Sequence, residues 1–350
     1  MLRVASLLLL LSLLASSGCA RRAEKSVAGE NSSPYETLEL RYQGGSGYVS
    51  FPELAADLGY LEPIKLRWVG NTTSGPQDIQ TVVTNDIEFG AAFNGSIIKL
   101  IEAKAPIVAV LGMSSVDDTT WSGFYVLDGS PIRTARDFLG KKVGMNTMGA
   151  HSEFMLREFL ARGGLSKREL EQVTLVAIPP VNSEQVLRQK QVDIATLGGI
   201  LRDKALERGG IHAIFRDYDL FGEFTSASYV LRTDFIAKNP NSARKFVSAT
   251  GQAIEWTRST PREQVIERFA KIIRERKRNE DPSALKYWRA VKAKTRGGAI
   301  ADREFQIWID WLVRDGQLRP GQAKPAGYFT NELNSYSAES PPITASVAQP

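Results

Sequence analysis

The residues with the widest chemical range gather in one stretch, GMNTMGAHSEFMLREFLARGGL at 144–165, where Thr147, Gly149, Ala150 and Ser152 crowd around His151. The strand-like KKVGM precedes them. An amphipathic segment follows, with Phe154, Met155, Phe159 and Leu160 on its inward face. The cluster therefore falls where a helix begins. At such a point the first N–H groups lack backbone acceptors and the helix carries about half a positive charge, so an anion is attracted. Gly149 removes the Cβ that would hold a ligand off those amides, while Thr147 and Ser152 offer hydroxyls and His151 a ring N–H. Taken locally, the same residues equally describe a capped helix with a surface histidine.

Little else in the chain suits catalysis. Only two histidines are present, His151 and His212, and His212 lies in GIHAIF, the setting of a strand residue. Adjacent positions on a helix diverge, so His151 and Ser152 do not meet as base and nucleophile. Neither a Cys/His metal spacing nor a phosphate-loop motif occurs, so no catalytic residue, metal or cofactor is expected. The net charge of +5 includes Arg3, the one charge in residues 1–18; without that segment +4 remains. No clustered basic stripe accompanies it, which argues against nucleic acid. A mildly basic body is compatible with an anionic solute.

The positioning elements start at residue 36. Before it, Val4 to Ala15 is an apolar run of about a dozen residues, short of the roughly 20 that span a bilayer, and reads as an export signal over 1–18. Cys19, the single cysteine, cannot form an intramolecular disulfide. Following Ser16, Ser17 and Gly18, it resembles the lipidated cysteine of bacterial lipoproteins, with Ser16 where leucine is usual; plain cleavage after Ala20 is the alternative. Residues 19–35 read as a tether, and 337–350 hold too few large apolar residues to join a core. The expected location is the periplasm or cell envelope, with the membrane reached through the lipid.

Within 36–336, short apolar runs alternate with helix-period segments. Strands are expected at 38–42, 64–69, 87–92, 107–112, 123–127, 142–145, 173–177, 192–197, 212–215 and 228–231, with helices such as 52–58, 76–84 and 184–189 between them. That alternation predicts an α/β fold with largely parallel sheets. From Asn239 the spacing predicts four helical stretches, carrying Phe246, Ile254 and Trp256; Val265, Ile266 and Phe269; Leu285, Trp288 and Val291; and Phe305, Trp308, Trp311 and Leu312. Aromatics that follow the helix period read as core. The run RERKRNED at 274–281 reads as a solvated surface.

A longer pattern names a family. Asp137, Phe138, Leu139, Gly140, Lys141, Lys142 and Val143, followed by the turn Thr147 to His151, resemble the second-lobe signature of solute-binding proteins of ABC importers for nitrate, taurine and aliphatic sulfonates. The segments 75–95, 175–196 and 328–334 extend the resemblance in order. It implies a two-lobed type II periplasmic-binding-protein fold with the ligand cleft between the lobes and a helical C-terminal region. Lobe one would comprise 36–124 and 228–336, lobe two 125–227, with chain crossings near 122–127 and 225–231. Ligands of such sheets lie beyond the carboxyl ends of strands. The implied contacts are Gly45, Ser46, Tyr48, Thr73, Ser74, Asn94 and Ser96 from lobe one, and Thr147, Gly149, Ala150, His151, Ser152 and Gly198 from lobe two.

The resemblance further implies a monomer that passes a small anionic organic solute to a permease and its ATPase. Two departures touch the ligand. Met148 and Gly149 stand where sulfonate binders often carry Ser-Ser, and no Trp-Asp-Pro-Tyr-like segment follows TLGGIL at 196–201, so Gly198 and Gly199 leave room for a bulkier molecule. A thiamine-precursor pyrimidine or another heterocycle is the alternative ligand. An enzyme or an envelope sensor on the same fold is the alternative role, although the cysteine-rich segment of the pyrimidine-synthesising enzymes is absent.

Overall fold

Ten segments rich in β-branched and aromatic residues form strands: β1 Glu39–Gly44, β2 Lys65–Asn71, β3 Phe89–Phe93, β4 Ile107–Val116, β5 Ser122–Leu127, β6 Lys142–Met145, β7 Thr174–Ala177, β8 Ile194–Gly198, β9 Ile211–Arg216 and β10 Phe224–Arg232. They coincide with the ten expected runs to within a few residues. The structure, a computed structural model, describes residues 33–290 and 295–337. The apolar run at 4–15, Cys19, most of the tether and the tail from 338 lie outside the described residues. Among those described, no helix is long and apolar enough to cross a membrane.

The helices are α1 Phe51–Asp57, α2 Gly75–Val83, α3 Asn94–Glu102, α4 His151–Arg162, α5 Lys167–Leu170, α6 Ser183–Arg188, α7 Gly199–Glu207, α8 Asp217–Phe221, α9 Thr233–Lys238, α10 Pro240–Ser259, α11 Arg262–Glu275 and α12 Arg303–Arg314. The expected stretch carrying Leu285 and Trp288 is instead a short 3-10 segment, Pro282–Tyr287. Left-handed Lys277 and Asn279 and then Pro282 break the helix before it, so one apolar turn cannot extend. Val291 lies outside the described residues.

Strands assemble into a parallel pair β1-β2, an antiparallel sheet β3-β10-β4, and a five-stranded sheet β7-β6-β8-β5-β9. In the last, β6 runs parallel to β7 and β8 while β5 is antiparallel to β8 and β9. The sheets are therefore mixed, which corrects the expectation of largely parallel ones. Strand-helix alternation dictates a parallel pair only where a helical crossover joins the two strands. β5 and β10 arrive from the other sheet group, so no crossover sets their direction.

The same two strands show where the chain passes between the sheets. All five strands of the β5-to-β9 sheet come from 122–216; the remaining strands lie before 117 or after 223. The segments 122–127 and 225–231 are thus strands inside sheets, and the passages run at 117–121 and 217–223. Phe224 pairs with Val116 in the β10-β4 ladder, so the two passages emerge side by side. Arg202 of α7 fastens the first passage, donating to the carbonyls of Trp121 (2.7 Å) and Thr119 (3.2 Å) with its guanidinium 4.1 Å from the Trp121 ring.

Behind the passages sits an aromatic hub. Trp308 of α12 is fully buried, with ring centroids at 4.6 Å from Phe93, 5.0 Å from Phe221, 5.4 Å from Phe224 and 6.1 Å from Phe154. Trp311 stacks on Phe154 at 4.1 Å. These rings are core, as their helical spacing implies. They tie α12 to both β3 and α4.

Candidate functional site

The loops after β1, β2 and β6, together with the segment after β7, converge on a cleft of about 480 Å³, within the usual size of small-molecule sites. One wall carries Gly45, Ser46, Tyr48, Asn71, Thr72, Thr73, Ser74, Asp78 and Phe93; the other carries Asn146, Ala150, His151, Pro179, Pro180, Val181 and Leu201. Ser114 and Ser226, joined by a 2.9 Å hydrogen bond, also line it. Of the residues singled out from sequence, Gly45, Ser46, Tyr48, Thr73, Ser74, Ala150 and His151 meet here.

Local chemistry explains the shape of the first wall. A side chain at position 45 would overlap the Tyr48 ring, and one on Gly75 would come within 2.9 Å of the Ala92 Cα, so both glycines permit close approach. Ser50 caps α1 in a capping box with Glu53. Glu53 is 7% exposed and also accepts from the Tyr42 hydroxyl (2.6 Å), Arg276 (3.1 Å) and Arg278 (3.1 Å). Arg276 further donates to the Tyr48 carbonyl (3.0 Å), and Glu280 accepts from the Gly47 amide (3.2 Å). The run 274–281 is thus solvated only in part: Arg274, Glu275, Lys277, Asn279 and Asp281 are exposed, whereas the side chains of Arg276 and Arg278 are 8% exposed and that of Glu280 1%, and these three clamp the Tyr48 loop. Their partner Glu53 lies over 220 positions away, so nothing local in the sequence announced it.

Other expected contacts have structural duties. Asn94 has no exposure; its amide donates to the carbonyls of Thr225 (3.0 Å) and Glu304 (3.2 Å), and its carbonyl accepts from Ser228 (2.8 Å). Ser96 donates to the Gly149 carbonyl at 3.0 Å. The Thr147 hydroxyl makes a long bond to the Met148 carbonyl, and neither Thr147 nor Gly149 lines the cleft. Gly149 does adopt a left-handed conformation (φ 72°) that favours glycine. Its amide, however, donates to the Glu153 carboxylate at 2.7 Å. That amide lies one residue before Ala150, the N-cap of α4, and no side chain caps the helix start itself.

Ser152 and Gly198 border an adjoining recess of about 190 Å³, with Ser122, Asn146, Ser183 and Thr196. A Cβ at position 198 would overlap the Ser122 hydroxyl. His151 turns inward: its Nε2 lies 2.9 Å from Asp217, which is 1% exposed and also accepts from the Ser122 amide (3.1 Å). The ring packs edge-on against Phe93 at 5.2 Å. Asp217 thereby links the second passage, β5 and the start of α4. His212 sits on β9 facing Asp128 at 3.0 Å, a strand residue as its surroundings suggested.

The electrostatics of the cleft differ from the anionic expectation. Among its described lining residues there is no lysine or arginine. Asp78, missed by the sequence reading, is 6% exposed on α2; one oxygen accepts from the Ala91 amide (2.7 Å) and the other is buried without a partner. Burial pushes its carboxyl up to about 7, partly offset by the Ala91 amide.

Two sheet groups joined by adjacent passages, with a cleft at strand ends between them and a helical C-terminal region, constitute a periplasmic-binding-protein fold. The chain belongs to the NMT1/THI5-like family, whose model matches residues 54–264. It is 28% identical over 265 residues to an Escherichia coli (strain K12) protein provisionally named aliphatic sulfonates-binding, covering 74% of this chain and 78% of that one. A Brucella abortus (strain 2308) protein provisionally named as a binding protein is 24% identical over 268 residues, 74% and 80% of the two chains. The crystal structure of the periplasmic aliphatic sulphonate-binding protein SsuA from Escherichia coli superposes with a TM-score of 0.63 at 22% identity, covering 84% of this chain and 92% of SsuA.

Proposed function

We propose that this protein is the solute-binding component of an ABC importer, capturing a small organic molecule between its lobes and handing it unaltered to a membrane permease. The observation that carries this reading is the cleft: about 480 Å³, walled by both sheet groups, and lined by hydroxyls, aromatic faces and backbone turns. The geometry supports binding over catalysis. His151, the one histidine in the cleft, is held by buried Asp217 and has no nucleophile bonded to it. Binding-protein relatives support the same choice. Lobe one is read as residues up to the first passage plus those after the second, and lobe two as the segment between. Native mass spectrometry of protein purified under mild conditions tests the proposal: a stoichiometric small molecule is expected, released on unfolding. A chain that never retains one and is not stabilised by any solute in a broad thermal-shift screen overturns it.

An organosulfonate solute is favoured by one specific observation. The recess beside the cleft presents the hydroxyls of Ser122, Ser152, Ser183 and Thr196 and shares Asn146 with the cleft, a setting suited to oxyanion oxygens. Export and a lipid anchor at Cys19 belong to the same reading, since tethering keeps a binding protein near its permease. Fractionation decides the anchor: wild type is expected with membranes and Cys19→Ser in the soluble fraction, whereas an exported wild type found only in the soluble fraction removes it.

A further inference from the structure

Resting on the two-lobe reading, we infer that residues 281–289 form a strap that holds the lobes together beside the cleft, locked onto α7 of lobe two by charge. The strap is built into lobe one. Leu285 is buried in its core, Trp288 packs edge-on against Phe269 of α11 at 5.5 Å, and Arg262 donates to the carbonyls of Lys286 and Trp288. Immediately before the strap, Glu280 accepts from the Gly47 amide (3.2 Å), which sets its origin against the Tyr48 loop of the cleft wall.

The other side of the strap meets α7, which belongs to the chain between the two passages. Lys286 Nζ lies 2.9 and 3.0 Å from the two Glu207 oxygens, the Tyr287 hydroxyl donates to the same carboxylate, and Arg289 lies 3.4 Å from Asp203. A third pair has the opposite polarity: the Ser283 hydroxyl and amide hold the Asp281 carboxyl below its ordinary value, and Lys204 of α7 adds to the effect. Asp203, Lys204 and Glu207 thus each face the opposite charge on the strap. Asp203 carries the lock on to the first passage, because its other oxygen accepts from Arg202 (2.7 Å), which also holds the Thr119 and Trp121 carbonyls. Parting the lobes about the passages must draw α7 off the strap, so these pairs exist only while the lobes are together. Lys286, Glu207 and Arg289 are half or more exposed, so salt screens their attraction and the lock can open.

Double electron-electron resonance measures the lobe separation without any solute. Nitroxides are placed on Lys65→Cys and Thr174→Cys, on β2 and on the outermost strand β7, in a Cys19→Ser background, and each fold is checked by circular dichroism. Adding Lys286→Glu is expected to raise the population at longer distance about threefold or more. Sodium chloride at about 1 M is expected to do the same with Lys286 in place. Exchanging the charges, Glu207→Lys with Lys286→Glu, is expected to reverse most of the shift, which a lock made of packing alone would not do. If Lys286→Glu does not fold, the salt series decides by itself. A distribution that a folded Lys286→Glu leaves unaltered, or that salt leaves unaltered, or a shift that the exchanged pair does not correct, overturns the strap and leaves the solute-binding reading standing. A protein that opens with salt yet never retains a solute keeps the strap and loses the binding role.

Discussion

Asp78 makes a prediction that needs no ligand. Its carboxyl has an ordinary value near 3.8 and is pushed up to about 7 in the folded chain. An acid that holds its proton more tightly when folded adds stability that is full below about pH 4 and is lost as pH rises to about 7. Unfolding free energy should therefore fall between pH 5 and pH 8 by up to about 3 kcal/mol more in wild type than in Asp78→Asn. Urea unfolding at the two pH values measures it, and parallel curves for the two proteins would show that the buried oxygen carries no such penalty. At this scale the sequence was half legible. His151 stood out as one of two histidines in the chain, whereas Ser46, Tyr48 and Thr73 followed only from the family resemblance, which puts the loops after the early strands at the cleft. Asp78 was hidden because an aspartate one turn into a helix is ordinary; what distinguishes it is burial against β3, which no neighbour in sequence reveals.

At the scale of elements, periodicity served well. All ten strands and the long helices formed where apolar spacing placed them, since that spacing is itself the condition for burying one face. Strand direction was less legible. It depends on whether a strand is reached by a helical crossover or from the other lobe, and β5 and β10 are indistinguishable from the rest in composition. Charge runs misled for a related reason. Arg276 and Arg278 look solvated beside Lys277 and Arg274, yet the left-handed turn at Lys277 points the two arginines at Glu53. The helix start was legible in part: the pattern around Gly149 located the start of α4, whose Ala150 N-cap has no side-chain cap, but not the bond from the Gly149 amide just before it to Glu153.

For the whole molecule, binding in the cleft is expected to favour a closed arrangement, because contacts from both walls to one solute are made fully only when the walls approach. The side-by-side passages allow this and the hub around Trp308 is the place where it must be accommodated. Here α12 meets Phe93 from one sheet group and Phe154 from the other. Two indole rings at that meeting point give the protein an optical readout of its own. Any change in how the lobes are disposed alters the stacking of Trp311 on Phe154, and with it the quenching and emission wavelength of Trp311. Saturating the protein with its co-purifying solute should change tryptophan emission, with the change surviving in Trp256→Phe, on α10 and outside the cleft lining, and fading in Trp311→Phe. Emission that is unaltered at saturation would mean that the lobes do not move against this hub. A binding protein that reports its own occupancy in this way could be screened for its solute by light alone, with no dye, label or engineered cysteine.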